Sequence, residues 1–364
     1  MKLTIPSDVL ADAVTWTART IPARPAAPVL AGILLTADGS TLTLSAYDYE
    51  TSTTTTVTAN VTTPGTALVS GRLLADIVKA LPGKPVTLEV DGGLSIRCGA
   101  SRFRLLTMPH DGYPALPAAP ASTVTLDGHS LAHAVSQVAV AASRDDTLPL
   151  LTCIKVEATP GKVTLLATDR YRLALRELAH DGDLDGEWLL RARTLTEVTK
   201  TTAGPVGFAT SDQLAAFTTG ARTLTSLQVD GDYPPVRRLF PDDTPITARV
   251  NVADLTAAVK RVALVAERNT PVRLTFDTNT LTLTAGTGDD ATATEEFPAT
   301  LVGAPIAVAF NPTFLIDGLT ALDTATVELG FTHPNKPVVF TGVTADGDLV
   351  NAYRYLLVPI RFAG

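Results

Sequence analysis

His129 and His133 stand four residues apart in a stretch with helical apolar spacing, so both imidazoles fall on one helix face. That spacing can hold a metal, but the segment reads HSLAH, without the glutamate of an H-E-x-x-H site, and no third ligand is evident. The pair is read as two surface histidines. Serine, histidine and aspartate all occur, yet no G-x-S-x-G elbow exposes a nucleophile. GTGDD at 286–290 has neither the Walker pattern nor G-x-G-x-x-G spacing and reads as a hairpin turn. The acid pairs Asp145 with Asp146, Asp242 with Asp243, and Asp289 with Asp290 lie in turn-like contexts, where solvated loops explain them better than acid–base work. Cys98 and Cys153 are too few for a disulfide framework and read as two buried thiols. The residue types give no catalytic constellation, no metal site and no cofactor cradle. The chain is therefore read as a binding protein, not an enzyme.

The elements around these residues carry more information. LADAV at 10–14, LAHAV at 131–135 and LTAAV at 255–259 share the pattern L-x-x-A-V, which makes one apolar helical stripe. Each follows a short β-like run, and each has a polar residue at the expected N-cap: Ser7, Asp127 and Asn251. Alternating Thr-rich strands follow in each case: LTLSA at 42–46, VTLLA at 163–167 and LTLTA at 281–285. A second helix is then anchored by Leu74 with Asp76, Leu195 with Glu197, and Leu315 with Asp317. Further strands come after it, such as VTLEV at 86–90, AAFTT at 215–219 and PVVFT at 337–341. DGYP at 111–114 and DGDYP at 230–234 mark turns between units. Three elements in one order at near-equal spacing make a threefold repeat. Each unit, at about 120 residues, is too long for a solenoid repeat and reads as a domain. The expected domains are 1–120, 121–246 and 247–364, each α+β with two helices packed on antiparallel sheets.

Composition fits this picture. The 364 residues are 45% hydrophobic and 18% charged, which excludes disorder and supports packed cores. A net charge of −8 argues against a protein that grips DNA tightly over its whole surface. The N-terminal MKLTIPSDVLADAV has no apolar signal core, and Leu301 to Phe310 is too short to span a bilayer, so a cytoplasmic location is expected.

Together with the threefold repeat, LLATDRYRLAL at 165–175 and the ending YRYLLVPIRFAG closely resemble the bacterial DNA polymerase III beta subunit, the sliding clamp family. IPARPAAPVLAGILL at 21–35, SRFRLLTMP at 101–109 and DYPPVRRLFP at 232–241 extend the resemblance along the whole chain. The resemblance implies a head-to-tail homodimer, a six-domain ring that encircles duplex DNA and slides. It implies no catalysis and no cofactor. The implied partners are duplex DNA, held without sequence preference, the polymerase III alpha subunit, the clamp loader and other proteins carrying a clamp-binding motif.

Residue by residue, the resemblance implies three surfaces. A partner-peptide groove is matched by Leu151, Thr168, Arg170, Tyr171, Arg172, Leu173, Pro241, Phe314, Pro337, Leu356, Val358, Pro359, Ile360 and Arg361. Leu173, Pro241, Leu356 and Val358 would form its deep apolar pocket, with Arg172 along the peptide backbone. The DNA-facing cations would be Arg24, Arg72, Lys79, Arg193, Lys200, Lys260 and Arg261, interspersed with Asp12, Asp76, Glu197, Asp254 and Asp317. Phe103 and Leu264 match the dimer interface. The chain departs from the family pattern at Phe314, where Tyr is common, at Arg170 and Tyr171, where some members have Gly-His, and at Ala263, where a larger aliphatic is common. These departures fit either a main replicative clamp or a spare copy whose altered groove tolerates a clamp-binding inhibitor. An enzyme built on the same frame, or another β-rich scaffold, is the more remote alternative.

Overall fold

The computed structural model describes residues 1–200, 202, 204–266, 270–286 and 291–361. Residues 287–290 of the GTGDD turn, with Asp289 and Asp290, and the last three residues of the chain lie outside them. Among the described residues six α-helices occur: α1 (Ser7–Thr17), α2 (Gly71–Ala80), α3 (Gly128–Ala139), α4 (Ala192–Thr199), α5 (Val252–Val262) and α6 (Pro312–Thr320). The repeated stripe is the buried face of the first helix in each copy. Leu10, Ala13 and Val14, then Leu131, Ala134 and Val135, then Leu255, Ala258 and Val259 are all buried. Each fully buried Leu stabilises by about 2 kcal/mol.

Two of the expected N-caps meet different ends. Asn251 caps α5, its Oδ1 accepting from Asp254 N at 3.0 Å. Ser7 is no cap. It is the first residue of α1, and Pro6 stands at the cap, where its carbonyl accepts from Leu10 N at 3.1 Å. The fixed φ of proline already suits a helix entrance, so the chain turns into the helix one residue earlier than the polar residue predicts. Asp127 directly precedes α3.

All the strand pairs are antiparallel, and the chain divides into two compact units: residues 1–128 with 197–228, and residues 129–196 with 229–364. The first unit holds a five-stranded sheet in the order Asn60–Thr63, Lys2–Ile5, Val86–Val90, Leu94–Cys98, Ser101–Leu105. It also holds a nine-stranded sheet, in which Thr51–Thr58 pairs with Arg222–Leu227. In that unit α1 and α2 pack together over Leu3, Ile5, Ile33, Leu42, Leu88 and Ile96. The second unit repeats the arrangement. Its nine-stranded sheet pairs Arg172–Ala179 with Leu349–Leu357, and α5 packs on α6. Its smaller sheet has four strands, in the order Ala293–Pro298, Thr280–Ala285, Val272–Asp277, Ile306–Phe310. Phe310, Phe340 and Tyr355 form an edge-to-face chain in its core, with centroids 6.0 and 5.7 Å apart. No described helix is long and apolar enough to cross a membrane.

Candidate functional site

The site in the second unit is built on a tight turn between the strands Lys162–Thr168 and Arg172–Ala179. Thr168 Oγ1 accepts from Arg170 N at 3.1 Å and donates to Arg172 O at 2.6 Å. Asp169 Oδ1 accepts from the backbone N–H groups of Tyr171 and Arg172, both at 3.0 Å. These bonds hold Arg170 at φ +80°, a left-handed conformation that a side chain rarely adopts. The turn throws Arg170 and Tyr171 outward and turns Arg172 inward.

Arg172 is the hub. Its side chain is only 7% exposed. Nε donates to Asp169 Oδ2 at 2.9 Å and Nη1 to Asp317 Oδ2 at 2.6 Å. Its Cζ lies 4.3 Å from the centre of the Phe314 ring, a cation–π contact. Burial alone would lower the Arg172 pKa, but Tyr355, Asp317 and Asp169 outweigh it and hold the guanidinium above its ordinary value. The charge is permanent at any working pH.

α6 delivers the other half. Asn311 Oδ1 accepts from Thr313 N at 2.9 Å and Phe314 N at 3.3 Å, which fixes the helix start and with it the Phe314 ring. Tyr171 stacks on that ring with centroids 6.1 Å apart. Tyr355 donates its hydroxyl to Phe314 O at 2.8 Å and lies close against Gly318, where a Cβ would come within 2.3 Å of the ring. An α6 residue without a side chain is what lets the helix sit this close to the strand.

Below this polar rim lies an apolar floor. Leu166, Leu173, Leu175 and Leu356 are buried in contact, with Tyr233, Val236, Phe240, Val339 and Val358 around them. The pairing of Leu173 with Leu356 and of Val339 with Leu356 sets that floor in register across three strands. Tyr233 closes one side by accepting from Thr168 N at 3.0 Å through its hydroxyl. Burial drives the Tyr233 and Tyr355 phenols above their ordinary pKa, so both stay neutral hydrogen-bonding groups.

An open cleft of about 460 Å³ runs along the rim, lined by Asp169, Arg170, Tyr171, Arg172, Phe314 and Asp317. The loop after α3 supplies its far wall through Ser143, Arg144, Asp145 and Leu148. This loop was not among the expected groove residues. Leu151 reaches it through its carbonyl, which accepts from Ser143 N at 2.8 Å. Val358 N donates to Tyr171 O at 2.9 Å, which ties the chain end to the turn. Thus Thr168, Arg170, Tyr171, Arg172, Leu173, Phe314, Leu356 and Val358 come together, and Phe240 brings the half-buried Pro241 beside them. Pro337 precedes the strand Val338–Val343, and Pro359 is buried. Ile360 is instead anchored by its N–H to Ala309 O at 2.7 Å, on the edge of the four-stranded sheet, and Arg361 is exposed.

The expected DNA-facing cations fare unevenly. Arg24, Lys79, Arg193, Lys200 and Lys260 are exposed. Arg72 donates to Pro22 O at 3.0 Å, Lys200 pairs with Glu197, and Arg261 pairs with Glu295. Asp317, expected among the DNA-facing helix acids, is spent on Arg172, and Asp12 pairs with Arg222. His133 lies 2.8 Å from Asp323, which also accepts from Gln137 Nε2 at 3.0 Å. Both cysteines are buried thiols.

A floor of leucines under a rim of fixed polar groups, open along one side, has the shape and chemistry to seat a short extended segment. The fold around it is that of the DNA polymerase sliding clamps. The clamp of Bacillus subtilis superposes with a TM-score of 0.93 over 100% of both chains at 24% identity, a likeness of fold. Sequence makes the assignment narrower. Family models for the DNA polymerase III beta subunit match residues 1–117 (N-terminal domain), 125–235 (central domain) and 237–352 (C-terminal domain). A beta sliding clamp of Streptomyces coelicolor is 47% identical over 376 residues, covering 100% of each chain. A Streptomyces muensis protein described as the beta sliding clamp homolog GriR is 42% identical over 371 residues, again covering 100% of each. The chain belongs to the DNA polymerase III beta subunit family. Its function is that of a DNA sliding clamp, a non-catalytic processivity factor in DNA replication.

Proposed function

We propose that two copies of this chain join head to tail into a closed ring of six domains around duplex DNA, and that the cleft on Arg172 tethers the polymerase alpha subunit, the clamp loader and other clients by a short peptide. The proposed domains are 1–120, 121–246 and 247–364; the family matches over 1–117, 125–235 and 237–352 support three domains, with the second break earlier, at 235–237.

One observation carries this reading: the sizes of the four sheets. Two sheets have nine strands, one has five and one has four. Joining the five-stranded sheet of one copy to the four-stranded sheet of another would complete a third nine-stranded sheet. The edges available for that are unfinished. Ser101–Leu105 is a terminal strand in which Arg102, Phe103 and Arg104 are all exposed, so even its alternate face is uncovered. Leu106 beside it is 83% exposed. Ala293–Pro298 is the terminal strand of the four-stranded sheet, without one fully buried residue. Leu264, beyond α5, is 84% exposed. An exposed strand edge is a template for pairing with another chain. The two edges also carry opposite charge, arginines on one and Glu295 with Glu296 on the other. A different surface meets its partner on each copy, so the contact is heterologous and closes only by rotation.

In such a ring the cations Arg24, Arg72, Lys79, Arg193, Lys200, Lys260 and Arg261 touch phosphates weakly and without sequence preference, which permits sliding. Retention comes from closure. A client bound in the cleft then meets DNA at a raised effective concentration. Its affinity rests on a few apolar anchors in the leucine floor.

Sedimentation equilibrium at micromolar concentration tests the ring. The expected mass is twice the 38.1 kDa of one chain. Arg102→Glu with Arg104→Glu is expected to give single chains, and adding Glu295→Lys with Glu296→Lys in trans to restore pairing. A wild-type chain of 38.1 kDa would contradict the proposal.

A further inference from the structure

Gln137 sits on α3 only 2% exposed, a rare place for an amide. Its Nε2 donates twice, to Ala321 O at 2.7 Å and to Asp323 Oδ2 at 3.0 Å. Its backbone carbonyl accepts from the Tyr353 hydroxyl at 3.3 Å. Its Oε1 is buried and finds no partner among the described residues. An apolar side chain of similar length would avoid stranding that acceptor, so the amide is kept for its donors.

Both acceptors lie at the end of α6. Ala321 is its C-terminal cap, where a helix leaves carbonyls without intrahelical partners. The other oxygen of Asp323 stands 2.8 Å from His133 Nε2, one turn earlier on α3. These bonds run from the central-domain match to the C-terminal match, since 137 lies within 125–235 and 321 within 237–352. α6 is thereby held at three points. Tyr355 takes its start, donating to Phe314 O. Arg172 takes its middle, at Asp317. Gln137 takes its end. Tyr353 and Tyr355 project from one face of a single strand, so the bonds from strand to α3, from α3 to α6 and from α6 back to the strand close a circuit.

The same helix positions act alike in the first unit. Trp16 and Gln137 each stand two residues past an L-x-x-A-V stripe, and Asp12 and His133 each stand within one. The Arg222 Cζ lies 5.4 Å from the centre of the Trp16 ring, and Asp12 pairs with Arg222. Residue 16 falls in the N-terminal match and residue 222 in the central one. In both units these two positions grip the domain that follows.

We propose that Gln137 is a positioning residue for the peptide cleft. By fixing the end of α6 it sets where Phe314 and Asp317 stand, and through them how tightly a peptide is held. Gln137 does not line the cleft, so it acts only through the helix. The 9 residues of α6 span about 14 Å, and so short a rod shifts at one end when it is freed at the other. The proposal rests on the peptide reading of the cleft.

The test is fluorescence anisotropy of a labelled short peptide with leucine and phenylalanine anchors, paired with amide hydrogen exchange of the full chain. Gln137→Met should weaken the peptide roughly threefold to tenfold and quicken exchange along α6. Gln137→Lys supplies donors and strands no acceptor, so it should return the affinity to within roughly twofold of wild type. On a Phe314→Ala background the loss from Gln137→Met should shrink below roughly twofold, because the ring it positions is gone. A purely structural role would give the same loss on both backgrounds. Circular dichroism identifies any misfolded variant. His133→Ala breaks the more exposed bond at little risk to folding and should move both readouts the same way by less. A wild-type protein that does not bind the peptide, or a Phe314→Ala variant that binds as well as wild type, would overturn the cleft reading. Unchanged α6 exchange or unchanged affinity in Gln137→Met, or an equal loss on both backgrounds, would overturn the positioning role.

Discussion

Replacing Arg172 by Ala is expected to destabilise the second unit by about 3 kcal/mol. Three losses set that figure. The first is the bond to Asp169, whose side chain is 12% exposed. Breaking a buried pair costs about 3–5 kcal/mol when it strands a charge. Here Asp169 keeps two backbone N–H donors on its other oxygen, which puts the cost below that range, at about 1–2 kcal/mol. The second is the bond to Asp317, which is 34% exposed, so water replaces the guanidinium and the loss is about 0.5 kcal/mol. The third is the cation–π contact with Phe314, about 1 kcal/mol. A unit of this size loses about 2–4 °C in Tm per kcal/mol, so differential scanning calorimetry should show its transition about 6–12 °C lower. The first unit should melt as before, because it contains none of these residues. Asp317→Asn should cost under about 1 kcal/mol, and Arg172→Lys should fall between, since an ammonium cannot serve both carboxylates in the same geometry. A Tm for Arg172→Ala within 1 °C of wild type, or an Asp317→Asn loss as large as that of Arg172→Ala, would refute the reasoning.

Other outcomes follow from the same site. Arg170→Gly should stabilise the chain by about 1 kcal/mol, because glycine holds φ +80° without strain; a lower Tm in thermal melts would contradict this. Gly318→Ala should destabilise by about 1–3 kcal/mol despite the better helix former, since its Cβ would press on the Tyr355 ring; weaker peptide binding in fluorescence anisotropy should accompany it. Tyr233, Tyr353 and Tyr355 all have pKa values raised above 10.0 by burial, so the stability tied to their protonated forms is complete below pH 10 and is lost as pH rises toward the folded values. Melts across pH 9 to 12 should show the second unit losing stability faster than the first, where Tyr113, pushed up to about 12, is the buried phenol concerned; equal slopes would contradict it. Removing residues 357–364 should abolish peptide binding, because Val358 and its bond to Tyr171 go with them; retained affinity would place the site elsewhere.

Much of this was legible in the sequence, and the failures have physical reasons. The L-x-x-A-V stripe found the first helix of each copy because period 3.6 burial is local. The strand segments were found for the same reason, period 2. Their partners were not. Nothing in the sequence says that Thr51–Thr58 pairs with Arg222–Leu227, or Arg172–Ala179 with Leu349–Leu357, because alternation fixes a face and not a neighbour. The middle third of the chain accordingly shares its strands between two sheets. At the site, Leu173, Leu356 and Val358 of the apolar floor are among the residues the resemblance matches, because aliphatic positions carry over singly, whereas Leu166 and Leu175 are not. Asp317 was misjudged because an acid on a helix has no partner in sequence; Arg172 lies 145 residues away. The 143–148 loop left no signal beyond turn-like residues. Tyr233 was visible within the DYPPVRRLFP match as part of a junction, yet its hydroxyl serves Thr168.

The proposed ring keeps this protein on DNA by closure and not by affinity. After loading onto a nicked circular duplex, the protein should stay bound through gel filtration at a salt concentration that strips phosphate contacts, and should be lost once the circle is cut to a linear form. Equal retention on circular and linear DNA, or equal loss from both, would contradict the account.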